Sequence, residues 1–164
     1  MRCCLCVGLD TDQGLGDMNR NHSNVSAEVG SIERQTAMLV DDDANYRQVL
    51  GEALTEDGWD VIEAASGENA LMLDVKPALL VTDINLGPGM DGWSLGGLAR
   101  NRWPDVGLLF ISGANQPDRQ QHFLLGAFLQ KPFLLSDFIA AVSGVARTAA
   151  AGASLRQRVA LNIR

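Results

Sequence analysis

Met38-Leu39-Val40-Asp41-Asp42-Asp43 reads as a buried strand that stops abruptly in three aspartates. Consecutive apolar residues without period-two alternation suit a parallel strand covered on both faces. Asp43 then stands where a helix N-cap belongs. After it, Tyr46, Val49, Leu50, Ala53 and Leu54 recur at the i, i+3, i+4, i+7, i+8 spacing of an apolar helical stripe, and Gly58 supplies a C-terminal stop. A strand, a polar turn and a helix make the first half of a βαβ unit.

The same pattern repeats downstream. Apolar runs of strand length occupy 59–62, 78–81, 106–111 and 127–129. Ser66 starts a second, shorter helix, and Asp91 caps a third whose predicted buried positions are Leu95, Leu98 and Ala99. Ser136 precedes a last helix with a stripe through Ile139, Val142 and Val145. The interval from Gly113 to Leu125 has room for only a short helix. Five strands alternating with helices predict an α/β fold, a doubly wound parallel sheet. The right-handed crossover rule favours the flavodoxin-like strand order 2-1-3-4-5.

Outside this region the texture changes. Residues 1–35 are rich in Asn, Asp, Gly and Ser without sustained apolar periodicity and read as a disordered leader, in which Met18 offers an alternative start. The folded domain is expected over 36–147. Residues 148–164 are Ala-rich and then basic, and read as a tail or an extension of the last helix.

At 164 residues the chain can bury one proper core. A net charge of −7 argues against a nucleic-acid surface, which needs clustered Lys and Arg. No apolar run approaches the roughly 20 residues of a membrane span, so no membrane contact is expected. Cys3 to Leu9 is short and lacks a small-residue cleavage site, which makes it a poor signal peptide. Cytoplasm is the expected location. Cys3, Cys4 and Cys6 lack a second cluster to complete a metal site and read as reduced thiols. Trp59, Trp93 and Trp103 read as packing residues. His22 and His122 lie in polar surroundings and read as bystanders.

Four of the five apolar runs end in polar residues: Asp41-Asp42-Asp43, Asp83, Ser112, and Gln130-Lys131. Parallel strands place all their C-termini along one edge, where open α/β sheets bind ligands. Two carboxylates at 4 Å repel by about 4 kcal/mol at an effective dielectric near 20. A hard divalent cation on oxygen ligands, Mg²⁺ or Mn²⁺, would offset that cost. Lys131 brings a point charge suited to a phosphoryl oxygen, and the Ser112 hydroxyl can bond another. Asp83 is then placed as a carboxylate nucleophile that forms an acyl phosphate.

The motifs Leu39-Val40-Asp41-Asp42-Asp43, Thr82-Asp83-Ile84-Asn85-Leu86 with Gly89-Met90-Asp91-Gly92, Phe110-Ile111-Ser112-Gly113, and Leu129-Gln130-Lys131-Pro132-Phe133 resemble those of response-regulator receiver domains. They stand in family order at near-family spacing over roughly residues 36–146. The resemblance implies a phosphorylation-dependent switch of two-component signalling, not an enzyme beyond its own phosphorylation and dephosphorylation. Its phosphoryl donor would be a histidine kinase or a histidine phosphotransfer protein. By the same resemblance Asp83 is the phosphoacceptor, and Asp42, Asp83 and the Asn85 backbone carbonyl hold the metal, with Asp41 acting through water. Ser112 and Phe128 are the switch residues, the Lys131-Pro132 bond is cis, and Asn85 and Ala114 adjust water access. An unidentified downstream protein and a homodimer are the further partners implied.

Two departures from the family pattern stand out. The loop Gly87-Pro88-Gly89 carries one residue more than usual. The Ser112-to-Lys131 interval is about three residues shorter than in chemotaxis-type receivers, as in receivers attached to hybrid histidine kinases, and touches the family's common dimer face. A phosphorelay intermediate or phosphate sink fits the same residues, as does a degenerate receiver used only for binding. A haloacid-dehalogenase-type phosphohydrolase would use Asp41-x-Asp43, Ser112 and a Lys. Against it, Ala44-Asn45 replaces the expected Thr or Val, no acidic pair follows Lys131, and Asp83 goes unexplained.

Overall fold

The five apolar runs form five strands: β1 (Thr36–Val40), β2 (Asp60–Ala64), β3 (Leu79–Asp83), β4 (Gly107–Ser112) and β5 (Ala127–Gln130). A computed structural model describes residues 34–113 and 126–162, with side chains to residue 158. Every strand pair is parallel, and the order is β2-β1-β3-β4-β5, the flavodoxin-like arrangement. The three inner strands are almost wholly buried, whereas β2 and β5 are partly exposed along most of their length as sheet edges. This is why the inner runs read as unbroken apolar sequence.

Alternate side chains of each inner strand feed two cores. On one face Met38, Val40, Leu80, Leu108 and Phe110 pack beneath α2 (Gly67–Met72) and α3 (Gly92–Arg102), which contribute Ala70, Leu95 and Ala99; Trp103 follows α3. On the other, Ala37, Leu39, Leu79, Val81, Leu109 and Ile111 meet Leu50 and Leu54 of α1 (Ala44–Glu56) and Phe138, Val142 and Val145 of α4 (Leu135–Asn162).

The first three helices start where their caps predict. Asp43 accepts from the Asn45 and Tyr46 amides, Ser66 from Asn69, and Asp91 from Ser94. Gly58 has φ +96, a left-handed turn just past α1. Two predicted core positions are instead surface. Val49 is 47% and Leu98 45% exposed. The buried stripe of α1 runs through Leu50, Gly51 and Leu54, and that of α3 through Leu95, Gly96 and Ala99. Both helices sit close to the sheet on glycine, which rotates the outermost stripe position away. At Gly96 a Cβ would lie 2.5 Å from the Phe110 ring.

The last helix takes the extended of the two readings offered for residues 148–164. It begins at Leu135 rather than after Ser136 and continues through the Ala-rich segment as one helix of 28 residues, about 42 Å long. Residues Leu135–Arg158 are, by length and composition, apolar enough to cross a membrane. The apolarity is spread over alanines interleaved with Gly, Ser and Thr, so no unbroken run announces it. A core helix meets the same criterion, and the first half of α4 is a wall of the core.

The outer half of α4 meets the sheet side through Arg156, whose guanidinium pairs with Asp105. Both side chains are about half exposed, 55% and 42%. Arg156→Ala is therefore expected to cost less than about 1 kcal/mol, measured as a shift in the urea midpoint. The segment 114–125, including Ala114, His122 and the expected short helix, lies outside the described residues, as do His22 and the three cysteines.

Candidate functional site

The C-terminal ends of β1, β3 and β5 bring Asp41, Asp83 and Lys131 together. Lys131 Nζ lies 3.2 Å from Asp41 Oδ2 and 2.5 Å from Asp83 Oδ2. The three residues are up to 90 positions apart in sequence. Asp41 is 2% exposed and Asp83 8%. Each carboxylate also accepts a local amide: Asp41 Oδ1 from Asp43 and Asp83 Oδ1 from Asn85, both at 2.9 Å. Burial pushes the Asp41 carboxyl above its ordinary 3.8, against the pull of the Asp43 amide and of Lys131. Burial alone would lower Lys131, but the Asp83 hydrogen bond and the charge of Asp41 outweigh it and raise it above 10.5.

Asp42 is exposed. It faces the loop after β3: a Cβ on Gly87 would meet Asp42 Oδ2 at 3.4 Å. Among the described residues no three His, Cys, Asp or Glu side chains form a ready metal cage. Among the described residues the possible metal donors along this edge are carboxylate and carbonyl oxygens, the hard type that suits Mg²⁺. Mg²⁺ does not require an all-protein cage, because it keeps several waters and takes only one or two carboxylates. The donor set fits that ion.

Ser112 is fully buried at the end of β4, one position past Ile111, which pairs with Asp83. Its hydroxyl donates to the Gly113 carbonyl at 3.1 Å, not to Asp83. The Lys131 amide donates to the Ser112 carbonyl at 2.7 Å, which ties the two strand ends. Phe128 lies opposite Phe110 on β5, half-buried against the α3-side core. The Lys131-Pro132 bond is cis.

Four nearby residues escaped the sequence reading. Arg47 donates to the Asp41 carbonyl at 2.6 Å and pairs with Glu63 on β2 at 3.0 Å, joining two strand ends. Tyr46, assigned to the core stripe, lays its ring against Lys131 with Nζ 3.9 Å from the centroid. Its place in the first turn after the Asp43 cap was the available signal. Gly92 brings α3 against the Asp83 peptide, and its amide donates to Ile84 at 2.9 Å.

Glu68, in the first turn of α2, accepts from the Met90 amide at 2.8 Å and so fastens the loop between β3 and α3. Gly87 and Gly89 give that loop its shape, with φ +76 and +118. A Cβ on Gly89 would strike Glu68 Oε1 at 2.7 Å. Hydrogen bonds from its own amide and from Met90 hold the Glu68 carboxyl below its usual 4.5. A carboxyl with a lowered folded pKa adds stability that is present above its unfolded pKa and fades as pH falls through the folded one. Glu68→Gln keeps an acceptor and cannot titrate, so its stability is expected to fall less steeply than wild type below pH 4.5. Urea midpoints across that acid range measure the difference.

A cavity of about 610 Å³ lined by Arg100, Leu108, Ala127, Thr148 and Arg156 opens near the N-terminal ends of β4 and β5, away from the acidic cluster.

Residues 37–143 match the response regulator receiver domain family. The response regulator protein FleR of Pseudomonas aeruginosa is 36% identical over 101 residues, covering 58% of this chain and 21% of that protein. The transcriptional regulatory protein CssR of Bacillus subtilis is 33% identical over 108 residues, covering 63% and 48%. The chain thus spans about half or less of the length of these curated relatives. The crystal structure of a response regulator receiver protein from Sinorhizobium medicae superposes with a TM-score of 0.68 at 28% identity, over 73% of this chain and 99% of that one. With the parallel sheet, its strand order and the family match over most of its length in agreement, this chain belongs to the response regulator receiver domains of two-component systems.

Proposed function

We propose that the domain accepts a phosphoryl group on Asp83 from the phosphohistidine of a histidine kinase or a histidine phosphotransfer protein. The observation that carries this reading is the Lys131 ammonium held between Asp41 and Asp83 at the strand ends. An Asp83 carboxylate oxygen attacks phosphorus, the P–N bond to the donor imidazole breaks, and an acyl phosphate remains on Asp83. The Lys131 ammonium stays beside the reacting carboxylate, where it neutralises charge gathering on the phosphoryl oxygens.

A Mg²⁺ ion, or Mn²⁺, would be held by Asp42, Asp83 and the Asn85 backbone carbonyl, with Asp41 acting through water. When bound, such an ion draws charge from the transferring group. Ser112 would break its bond to the Gly113 carbonyl and turn its hydroxyl to the new phosphoryl oxygens. Phe128, two residues before Ser112's partner Gln130 on the next strand, would move inward and alter the surface offered to a downstream protein or a second copy. The setting would be cytoplasmic, with neither nucleic acid nor membrane as a partner of this domain.

The test is acetyl phosphate with Mg²⁺, followed by borohydride reduction of the acyl phosphate and peptide mapping. The modified residue is expected to be Asp83 alone, with no label when the metal is chelated. Label on another carboxylate would overturn the assignment.

A further inference from the structure

The geometry points to Tyr46 as a positioning residue for the phosphotransfer proposed above: its aromatic face holds the Lys131 ammonium in line between Asp41 and Asp83. The inference rests on that proposed reaction. Lys131 has a long, flexible side chain that remains 23% exposed, and a four-carbon stem does not fix its own charge. Two carboxylates pull it from one side. On another side stands the Tyr46 ring, 3.9 Å from Nζ, well inside the range at which a ring quadrupole attracts a cation.

The ring is itself braced. Tyr46 meets Phe133 edge-on with centroids 6.1 Å apart, and Phe133 stacks on Phe138 at 6.0 Å. Phe138 is fully buried in the core. An aromatic column thus runs from the core of the α1/α4 face up to the ammonium. Aromatic pairs of this geometry resist reorientation. The ring face is the active part, so phenylalanine should serve as well as tyrosine.

The chain offers an unusually clean test, because Tyr46 is its single tyrosine. Biosynthetic replacement of tyrosine by mono- and difluorotyrosine weakens the ring quadrupole at that position alone, with almost no change in shape. The rate of Asp83 phosphorylation by subsaturating acetyl phosphate with Mg²⁺ is expected to fall stepwise with each fluorine, measured at a pH where the phenol stays protonated. Tyr46→Phe should stay within about twofold of wild type, and Tyr46→Leu should lose about fivefold, the scale of a partly desolvated cation–π contact.

A structural signature accompanies the rate. The Lys131 Cε protons should be shifted upfield by the ring current in wild type and Tyr46→Phe, and not in Tyr46→Leu. Equal rates across the fluorine series, or a Tyr46→Phe protein as slow as Tyr46→Leu, would overturn the inference. Absence of phosphorylation at Asp83 in wild type would instead overturn the underlying reaction, so the two failures are told apart by the first control.

Discussion

Asp83→Asn is expected to take up no phosphoryl group in the presence of Mg²⁺ while unfolding no earlier than the wild-type domain. Loss of uptake follows because a neutral amide is a poor nucleophile and cannot form the acyl phosphate. The stability half of the result is the more discriminating one. In the wild type Asp41 and Asp83 share one ammonium, in a setting where each carboxylate is at least nine-tenths buried. Like charges at such range repel by a few kcal/mol even at an effective dielectric near 20. Asparagine relieves that repulsion and leaves one carboxylate paired with one lysine. Its side-chain oxygen can still accept the Asn85 amide, so the local turn survives. In metal-free buffer the variant should equal the wild type or exceed it by up to about 2 kcal/mol, within the range seen when a strained ionic site is neutralised. A denaturant midpoint gives the sign directly. Marked destabilisation would mean that the Lys131–Asp83 pair is a net structural bond and not a site held ready at a cost.

The legible parts of this molecule are those that one physical constraint dictates. A parallel strand buried on both faces must be apolar without a break, so Leu79–Asp83 and Gly107–Ser112 stand out, and their polar ends mark the candidate site. Caps are equally local, which is why Asp43, Ser66 and Asp91 were found from sequence alone. Which helical positions touch the sheet is not local. Val49 and Leu98 obey the period of a buried stripe yet face solvent, because Gly51 and Gly96 let their helices approach the sheet and set the rotation. Nor does composition say where a helix stops. Nothing in Thr148–Ala153 breaks a helix outright except a tolerated glycine, and α4 runs on.

At the site, the residues that carry charge were readable and those that shape its surroundings were not. Asp41, Asp83 and Lys131 announce themselves by residue type at strand ends. Tyr46 looks like any apolar stripe residue until the fold sets its ring against an ammonium that arrives 85 positions later. Glu68 looks like a favourable acidic residue in a helix's first turn. Its second role, holding the Met90 amide, depends on how the Gly87-Pro88-Gly89 turn carries that amide back toward α2. Sequence identifies what can react. Close approach decides how firmly it is held.

That point can be tested where approach is tightest. Gly92→Ala is expected to be the most damaging single-methyl change near the site. A Cβ at position 92 would fall 2.1 Å from the Asp83 carbonyl oxygen and 2.8 Å from Ile84 Cα. Both are backbone atoms, so no rotamer can move aside. The Gly92 amide donates to the Ile84 carbonyl, which fixes the start of α3 on that peptide, and Asp91 caps the same turn through Ser94. Relief therefore requires α3 to lift or the end of β3 to shift. Lifting the helix would open the packing of Leu95 and Ala99 beneath it. Overpacking against backbone costs about 3 kcal/mol or more, or roughly 10 °C in Tm for a domain of this size. The shift also displaces the Asp83 carboxylate from Lys131, so phosphorylation should fall well below wild type even at temperatures where the variant is folded. Gly97, on the same helix with nothing within 4 Å of its Cβ position, supplies the control. Gly97→Ala should be neutral or slightly stabilising, since alanine is the better helix former. A Gly92→Ala domain as stable and as readily phosphorylated as Gly97→Ala would mean that α3 is not clamped to the Asp83 peptide.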